Sequence, residues 1–123
     1  MREGNILLIK SKSFAIRCVR LYKFMCNEKN EYVLSKQLLR SGTSIGANIK
    51  ESQFAQSRSD FAAKLSIAQK EAGESEYWIE VLEETGYLSK TQSESMLKDC
   101  RELLKLLPVS YTHLRAHETL SDL

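Results

Sequence analysis

Two histidines, His113 and His117, stand four residues apart, the spacing of two metal ligands on one helix face. They are the only histidines in the chain, and no HExxH context surrounds them. Glu51, Glu71, Glu74 and Glu76 are the carboxylates that a helical di-metal centre would draw on. Such a centre needs Glu-x-x-His pairs, and neither Glu71 nor Glu74 has a histidine at that spacing. These carboxylates are read as members of salt bridges, solvated or between subunits. Ser41 and Ser44 have no histidine in the body of the chain to activate them. Gly42-x-x-x-Gly46 lacks the Gly-Lys-Ser/Thr that a phosphate loop requires. Cys18, Cys26 and Cys100 read as small apolar packing residues. The expectation is a protein with no catalytic residues, no metal and no cofactor.

What remains is charge. Residues 1–50 hold 10 Lys/Arg against 3 Asp/Glu, a net +7. Residues 51–107 carry −4 and residues 108–123 carry −1. A basic first half points to an anionic partner, or to basic helices lying beside acidic ones. Arg17, Arg20, Lys23, Lys36, Arg40 and Lys50 lie on helical arcs opposite the apolar stripes, so they are the candidate contacts to RNA or DNA. They would act on phosphates, where charge and reach matter more than base identity. No aromatic residue interleaves closely with all of them, so weak sequence preference is expected. The competing reading pairs them with acidic helix-three side chains of a neighbouring subunit.

Those residues need elements to position them, and one stretch organises the elements. From Arg40 to Ser52 the chain is dominated by small residues, yet helical periodicity runs straight through. Leu34, Leu38, Ile45 and Ile49 share a narrow arc at 100° per residue, and Gly42 lies on it. Glycine inside a helix costs about 1 kcal/mol relative to alanine. Close approach of a neighbouring helix is the expected compensation. Gly42, Ile45, Gly46 and Ile49 are therefore read as a packing seam.

The other segments follow the same period. A first helix is expected from about Lys12 to Glu28, with Phe14, Cys18, Leu21, Tyr22 and Met25 as its stripe. Ile16 and Phe24 point to its charged side, which makes them candidates for a subunit contact. The second helix is expected from Tyr32 to Gln56, with Asn48 toward the inner side, capping or hydrogen-bonding across the bundle. Ser57 or Ser59 caps the third, whose seam is Phe61, Leu65, Ala68, Ala72, Ser75, Ile79 and Leu82. Ile67, Trp78 and Val81 widen it. Gly86 ends that helix. Ser89 and Gln92 have capping-box spacing for a fourth, with Met96, Leu97, Cys100, Leu103, Leu104 and Leu107 as its stripe.

Four amphipathic helices on short turns predict an all-α fold, an up-down-up-down antiparallel four-helix bundle. Residues 1–11 are weakly patterned, residues 12–107 form the bundle domain, and Pro108 is expected to stop the last helix. Pro108 to Thr119 resembles a translated sequencing-adapter tail found on unrelated sequences, so residues 108–123 are set aside as an artefact. The run Ile6 to Ile9 is too short for a signal-peptide core or a membrane span. Cys18 and Cys26 would sit roughly 12 Å apart on one helix, beyond disulfide reach. An odd number of such cysteines fits a reducing cytoplasm.

Several words occur in order. They are Leu34-Ser35-Lys36-Gln37-Leu38-Leu39-Arg40-Ser41-Gly42-Thr43-Ser44-Ile45-Gly46-Ala47-Asn48-Ile49, then Asp60-Phe61 with Lys64-Leu65-Ser66-Ile67-Ala68. Lys70-Glu71-Ala72 with Glu74-x-Glu76-Tyr77-Trp78 follows, and Thr85-Gly86-Tyr87 completes the set. Together they resemble the bundle proteins encoded in intervening sequences of bacterial 23S rRNA genes, and are similar to the accessory variability determinant of diversity-generating retroelements. The resemblance covers about Ser13 to Leu107. It implies a left-handed bundle assembling as a ring-shaped homopentamer, without established catalysis. For the retroelement relatives it implies nucleic-acid binding through a basic surface and contact with a reverse transcriptase. The motif is mostly packing chemistry, so it transfers fold more safely than function. A nucleic-acid-binding oligomer is the first functional expectation, a protein–protein scaffold the second, a metal-dependent enzyme a distant third. No membrane partner is expected.

Overall fold

In the computed structural model the chain forms four helices: α1 (Arg2–Glu28), α2 (Leu34–Ser52), α3 (Arg58–Glu84) and α4 (Lys90–Asp122). The backbone of residues 2–122 and the side chains of residues 6–108 are described, and no strand occurs among them.

Each helix boundary has a local cause. The N-terminus of α2 is held by the Glu31 carboxylate, which accepts from the backbone N–H groups of Val33, Leu34 and Ser35 at 3.0, 2.9 and 2.7 Å. Glu31 thereby satisfies donors that a helix start leaves open, and places a negative charge at the positive end of the dipole. Ser57 caps α3 by accepting from the Asp60 N–H at 3.0 Å. Gly86 ends α3 at φ +86°, in the left-handed region where glycine has no Cβ penalty. The Ser89 hydroxyl accepts from Gln92 N–H while the Gln92 amide accepts from Ser89 N–H, a capping box before α4.

The N-terminal segment, which the sequence pattern assigns to no element, is the first part of α1. Leu7 and Ser11 are buried there and extend the stripe of Phe14, Cys18 and Met25 at spacings of four and three. The helix one residue range thus begins ten residues before Lys12. Helix two is shorter than the expected Tyr32 to Gln56: it begins at Leu34, and Gln53 and Phe54 already belong to the turn that leads to α3. Pro108 does not stop the last helix, which runs on to Asp122 with the proline inside it. Proline removes one backbone donor, the one that would reach the carbonyl four residues back. The helix continues unbroken past it, with Leu114, Arg115, Ala116 and Glu118 among the residues of good intrinsic propensity.

The core gathers the expected stripes. Leu38, Ile45 and Ile49 from α2 meet Leu65, Ala68, Ala72, Ile79 and Leu82 from α3, all at or below 2% exposure. Met96, Leu97, Cys100, Leu103 and Leu107 close it from α4. Fully burying such a Leu, Ile or Met contributes roughly 1.5–3 kcal/mol. Ile67, expected to widen the α3 seam, is exposed instead. Asn48 donates within its own helix, to the Ser44 carbonyl at 2.9 Å and the Ser44 hydroxyl at 3.1 Å, rather than across the bundle.

α1 packs on α2 and α4, α2 on α3, and α3 on α4. In every packed pair the numbers rise along one helix as they fall along the other. Gly46 lies against Ser11 and Gly42 against Cys18. Ser41 meets Ser75, their hydroxyls 2.8 Å apart in the core, while Lys64 meets Glu51. Cys100 donates to the Ala72 carbonyl, Ser93 to Glu83.

The seam glycines are not equal. A Cβ at Gly42 would overlap Cys18 Sγ and lie 3.1 Å from Cys18 Cβ. A Cβ at Gly46 would come to 3.3 Å from Ser11 Oγ and 3.4 Å from the Ser11 carbonyl oxygen. Gly42 is where α1 and α2 approach closest to needing glycine.

Candidate nucleic-acid interface

The six basic candidates divide into three groups. Arg17 and Arg40 are tied into the bundle. Arg17 reaches α4, at 2.6 Å from Asp99 Oδ2, and donates to the Ser95 carbonyl and hydroxyl at 3.1 and 2.7 Å. Arg40 reaches α3, at 3.2 Å from Glu71 and 2.6 Å from Glu74. Its guanidinium holds the Glu74 carboxyl below the usual carboxylate range, against the opposing effect of burial. The acidic partner of Arg40 is therefore α3 of its own chain.

Arg20, Lys23 and Lys36 form the second group. All three are exposed and make no ion pair among the described residues. Arg20 and Lys23 lie in the last turns of α1 and Lys36 in the first turn of α2, on either side of the short connection 29–33. That connection reverses the chain with Asn30 in the left-handed region at φ +52°, a conformation asparagine adopts more readily than most residues, and its Oδ1 accepts from the Tyr32 hydroxyl at 3.3 Å. Three cationic side chains therefore flank one connection at one end of the α1/α2 pair.

Lys50 stands alone as the third. Its ammonium sits 5.8 Å from the centroid of the exposed Phe54 ring, a cation–π contact. It also lines a groove of about 460 Å³ between α1 and α2, with Leu8, Ile9, Lys12, Ala47 and Gly46 among the other lining residues. The aromatic neighbour of Lys50 was not legible from periodicity, because Phe54 lies beyond the end of α2.

The two candidate subunit-contact residues also part company. Ile16 is 42% exposed on α1. Phe24 instead packs against the core, half-buried, with the Lys29 ammonium 6.0 Å over its ring. The charged arc around Phe24 hides an inward lean of the ring.

Nothing in the described residues gathers three His, Cys, Asp or Glu side chains into a metal-sized cluster. His113 and His117 lie outside the residues whose side chains are described. Burial pushes the Cys18 and Cys100 thiols up to about 12, so both are neutral at physiological pH. No helix among the described residues is long and apolar enough to cross a membrane.

The family model described as 23S rRNA-intervening sequence protein matches residues 3–108. A crystal structure from Bacteroides thetaiotaomicron VPI-5482, of a protein with unknown function from the S23 ribosomal protein family, is 54% identical to this chain. The match covers 89% of this chain and 98% of that one, with a TM-score of 0.88. No curated protein matches.

Proposed function

The chain belongs to the 23S rRNA-intervening sequence protein family, and from that premise we propose a non-enzymatic, homo-oligomeric bundle that binds the RNA or DNA backbone. The pairings of opposite numbering support an up-down-up-down bundle, and the family resemblance supports a ring-shaped homopentamer as its assembly. The contact surface is the end of the α1/α2 face that carries Arg20, Lys23 and Lys36. The observation that carries the reading is that these three cations are exposed and unpaired among the described residues, while Arg17 and Arg40 are consumed within the bundle. Arg17 and Arg40 then act as clamps between helices. Lys50 belongs to the neighbouring groove.

Five copies of a three-cation patch would convert weak phosphate contacts into avidity, provided one nucleic acid spans several subunits. A reverse transcriptase is a partner only in a retroelement setting. Free Cys18, Cys26 and Cys100 support a reducing, cytoplasmic location. Residues 109–123 lie beyond the family match and have no part in the function proposed.

The second reading is a protein–protein scaffold, favoured by the in-chain pairing of Arg17 and Arg40, which reduces the free basic surface. Anisotropy of a labelled structured RNA with the intact protein at ~50 mM salt separates the two, since phosphate contacts are strongest at low salt. Saturable binding is expected. Absence of binding gives the scaffold first place.

A further inference from the structure

The large apolar side chains left exposed fall mainly on two unlike surfaces. One is the outer α1/α2 face, where Ile9 is 69% and Phe54 74% exposed, with Ile16 and Val19 farther along α1. The other is α3, where Ile67 and Tyr77 stand out, Tyr77 at 58%. Tyr32 and Val33 sit apart, in the turn between α1 and α2.

The first surface is concave. Ser11, Ala15, Thr43, Gly46 and Ala47 line the groove of about 460 Å³, and their small size leaves room for an aromatic ring. Lys12 and Lys50 line the same groove, and no carboxylate does. Two ammonium groups beside an apolar floor fit a partner with an apolar knob and carboxylates next to it.

The second surface has that composition. Tyr77, Glu80 and Glu84 share one helix face at spacings of three and four. From Glu74 to Glu84 the chain holds five glutamates and no lysine or arginine; Glu74 pairs with Arg40, Glu76 with Arg101 and Glu83 accepts from Ser93, which leaves Glu80 and Glu84 to face a partner. Trp78 holds the Tyr77 ring edge-on, with centroids 5.0 Å apart, so the knob is oriented in advance. Glu80 makes only a 3.7 Å contact with Arg101, and its side chain is 47% exposed.

We infer that Tyr77 of one copy seats in the α1/α2 groove of a second copy, with Glu80 and Glu84 facing Lys12 and Lys50. The contact joins two different faces, so it is head-to-tail and closes into a ring when the rotation allows. It rests on the homo-oligomer reading above and adds which faces meet. It also leaves Arg20, Lys23 and Lys36, farther along the same face, clear for nucleic acid.

Light scattering on the full chain at micromolar concentration tests the inference with two charge-reversed proteins. One carries Lys12→Glu and Lys50→Glu, the other Glu80→Lys and Glu84→Lys. The unaltered protein should give a multiple of 14.1 kDa. Each reversed protein should fall to 14.1 kDa with unchanged helicity, and an equimolar mixture should rise above that mass again, as open or even-numbered assemblies, because two kinds of copy cannot alternate around a ring of five. Ala47→Arg fills the groove from an exposed position and should likewise give monomer. A monomeric unaltered protein overturns the oligomer reading and this contact with it. An oligomeric unaltered protein whose variants stay oligomeric overturns only the choice of faces. So does a mixture that stays monomeric. Loss of RNA binding by Lys12→Glu/Lys50→Glu with the oligomer intact would give the groove to nucleic acid and also overturn it.

Discussion

Replacing Gly42 by alanine tests how tightly α1 and α2 are joined. Intrinsic propensity favours alanine by about 1 kcal/mol at a mid-helix position. Packing opposes it. The new methyl would overlap Cys18 Sγ and sit 3.1 Å from Cys18 Cβ, with Phe14 Cε2 at 3.5 Å. Cys18 and Phe14 are at 1% and 0% exposure, so neither has free space to retreat into. Overpacking of this kind typically costs 1–3 kcal/mol. The net expectation is destabilisation by about 1 kcal/mol. Gly73→Ala is the control, because a Cβ there meets nothing within 4 Å. It should stabilise by about 0.4–1 kcal/mol. Urea unfolding followed by helical circular dichroism, at one fixed protein concentration, measures both. In a Cys18→Ala background the Gly42→Ala penalty should shrink, since the overlapping sulfur is gone. Stabilisation by Gly42→Ala in the unaltered background would refute the close approach.

Other outcomes follow from the same structure. Glu31→Gln should destabilise by about 1–2 kcal/mol at neutral pH, because three N–H donors lose a charged acceptor. Burial raises the Glu31 carboxyl pKa, but those backbone donors outweigh it and hold the pKa below the ordinary value. A depressed pKa gives stability that is present above the unfolded carboxylate pKa of about 4.3 and lost as pH falls below it. Thermal melts between pH 7 and pH 3 should therefore show a shallower acid loss in Glu31→Gln than in the unaltered protein. A thiol reagent under native conditions should modify Cys26 first, and Cys18 and Cys100 only on unfolding, since both are buried with thiols pushed up to about 12. Truncation after Pro108 should leave the melting temperature within a degree or two, since Leu107 is the last residue of the buried core among those described. A fall of several degrees would show that residues 109–123 brace the bundle.

The helical stripes and most caps were legible because periodicity and capping chemistry are local. The Ser57 cap, the Ser89–Gln92 box and the Gly86 terminus each depend on residues within four positions. The α1 start was hidden by Ser11, a polar residue in a seam position that the backbone of α2 covers at Gly46. Pro108 misled because an interior proline can be accommodated within a continuing helix, at a cost of about 3 kcal/mol, as well as end one. The candidate site was legible only in part. Basic arcs can be drawn from sequence, but whether a cation is free depends on which helix lies beside it. Arg17 opposite Asp99 and Arg40 opposite Glu71 and Glu74 are tertiary facts, separated by 31 to 82 residues. Phe24 escaped for the same reason, whereas the Lys50–Phe54 pair, four residues apart, escaped because Phe54 lies beyond the end of α2.

The salt dependence of RNA affinity tests the functional proposal most directly. Each phosphate contact on a duplex adds about 0.9 to the slope of log affinity against log salt. Lys23→Glu with Lys36→Glu removes two exposed cations that make no ion pair among the described residues, so the fold should survive. Tight binding is expected at ~50 mM salt for the unaltered oligomer, with a slope lower by about 1.8 per engaged subunit in the variant. Equal slopes and equal affinities in the two proteins would contradict the proposal.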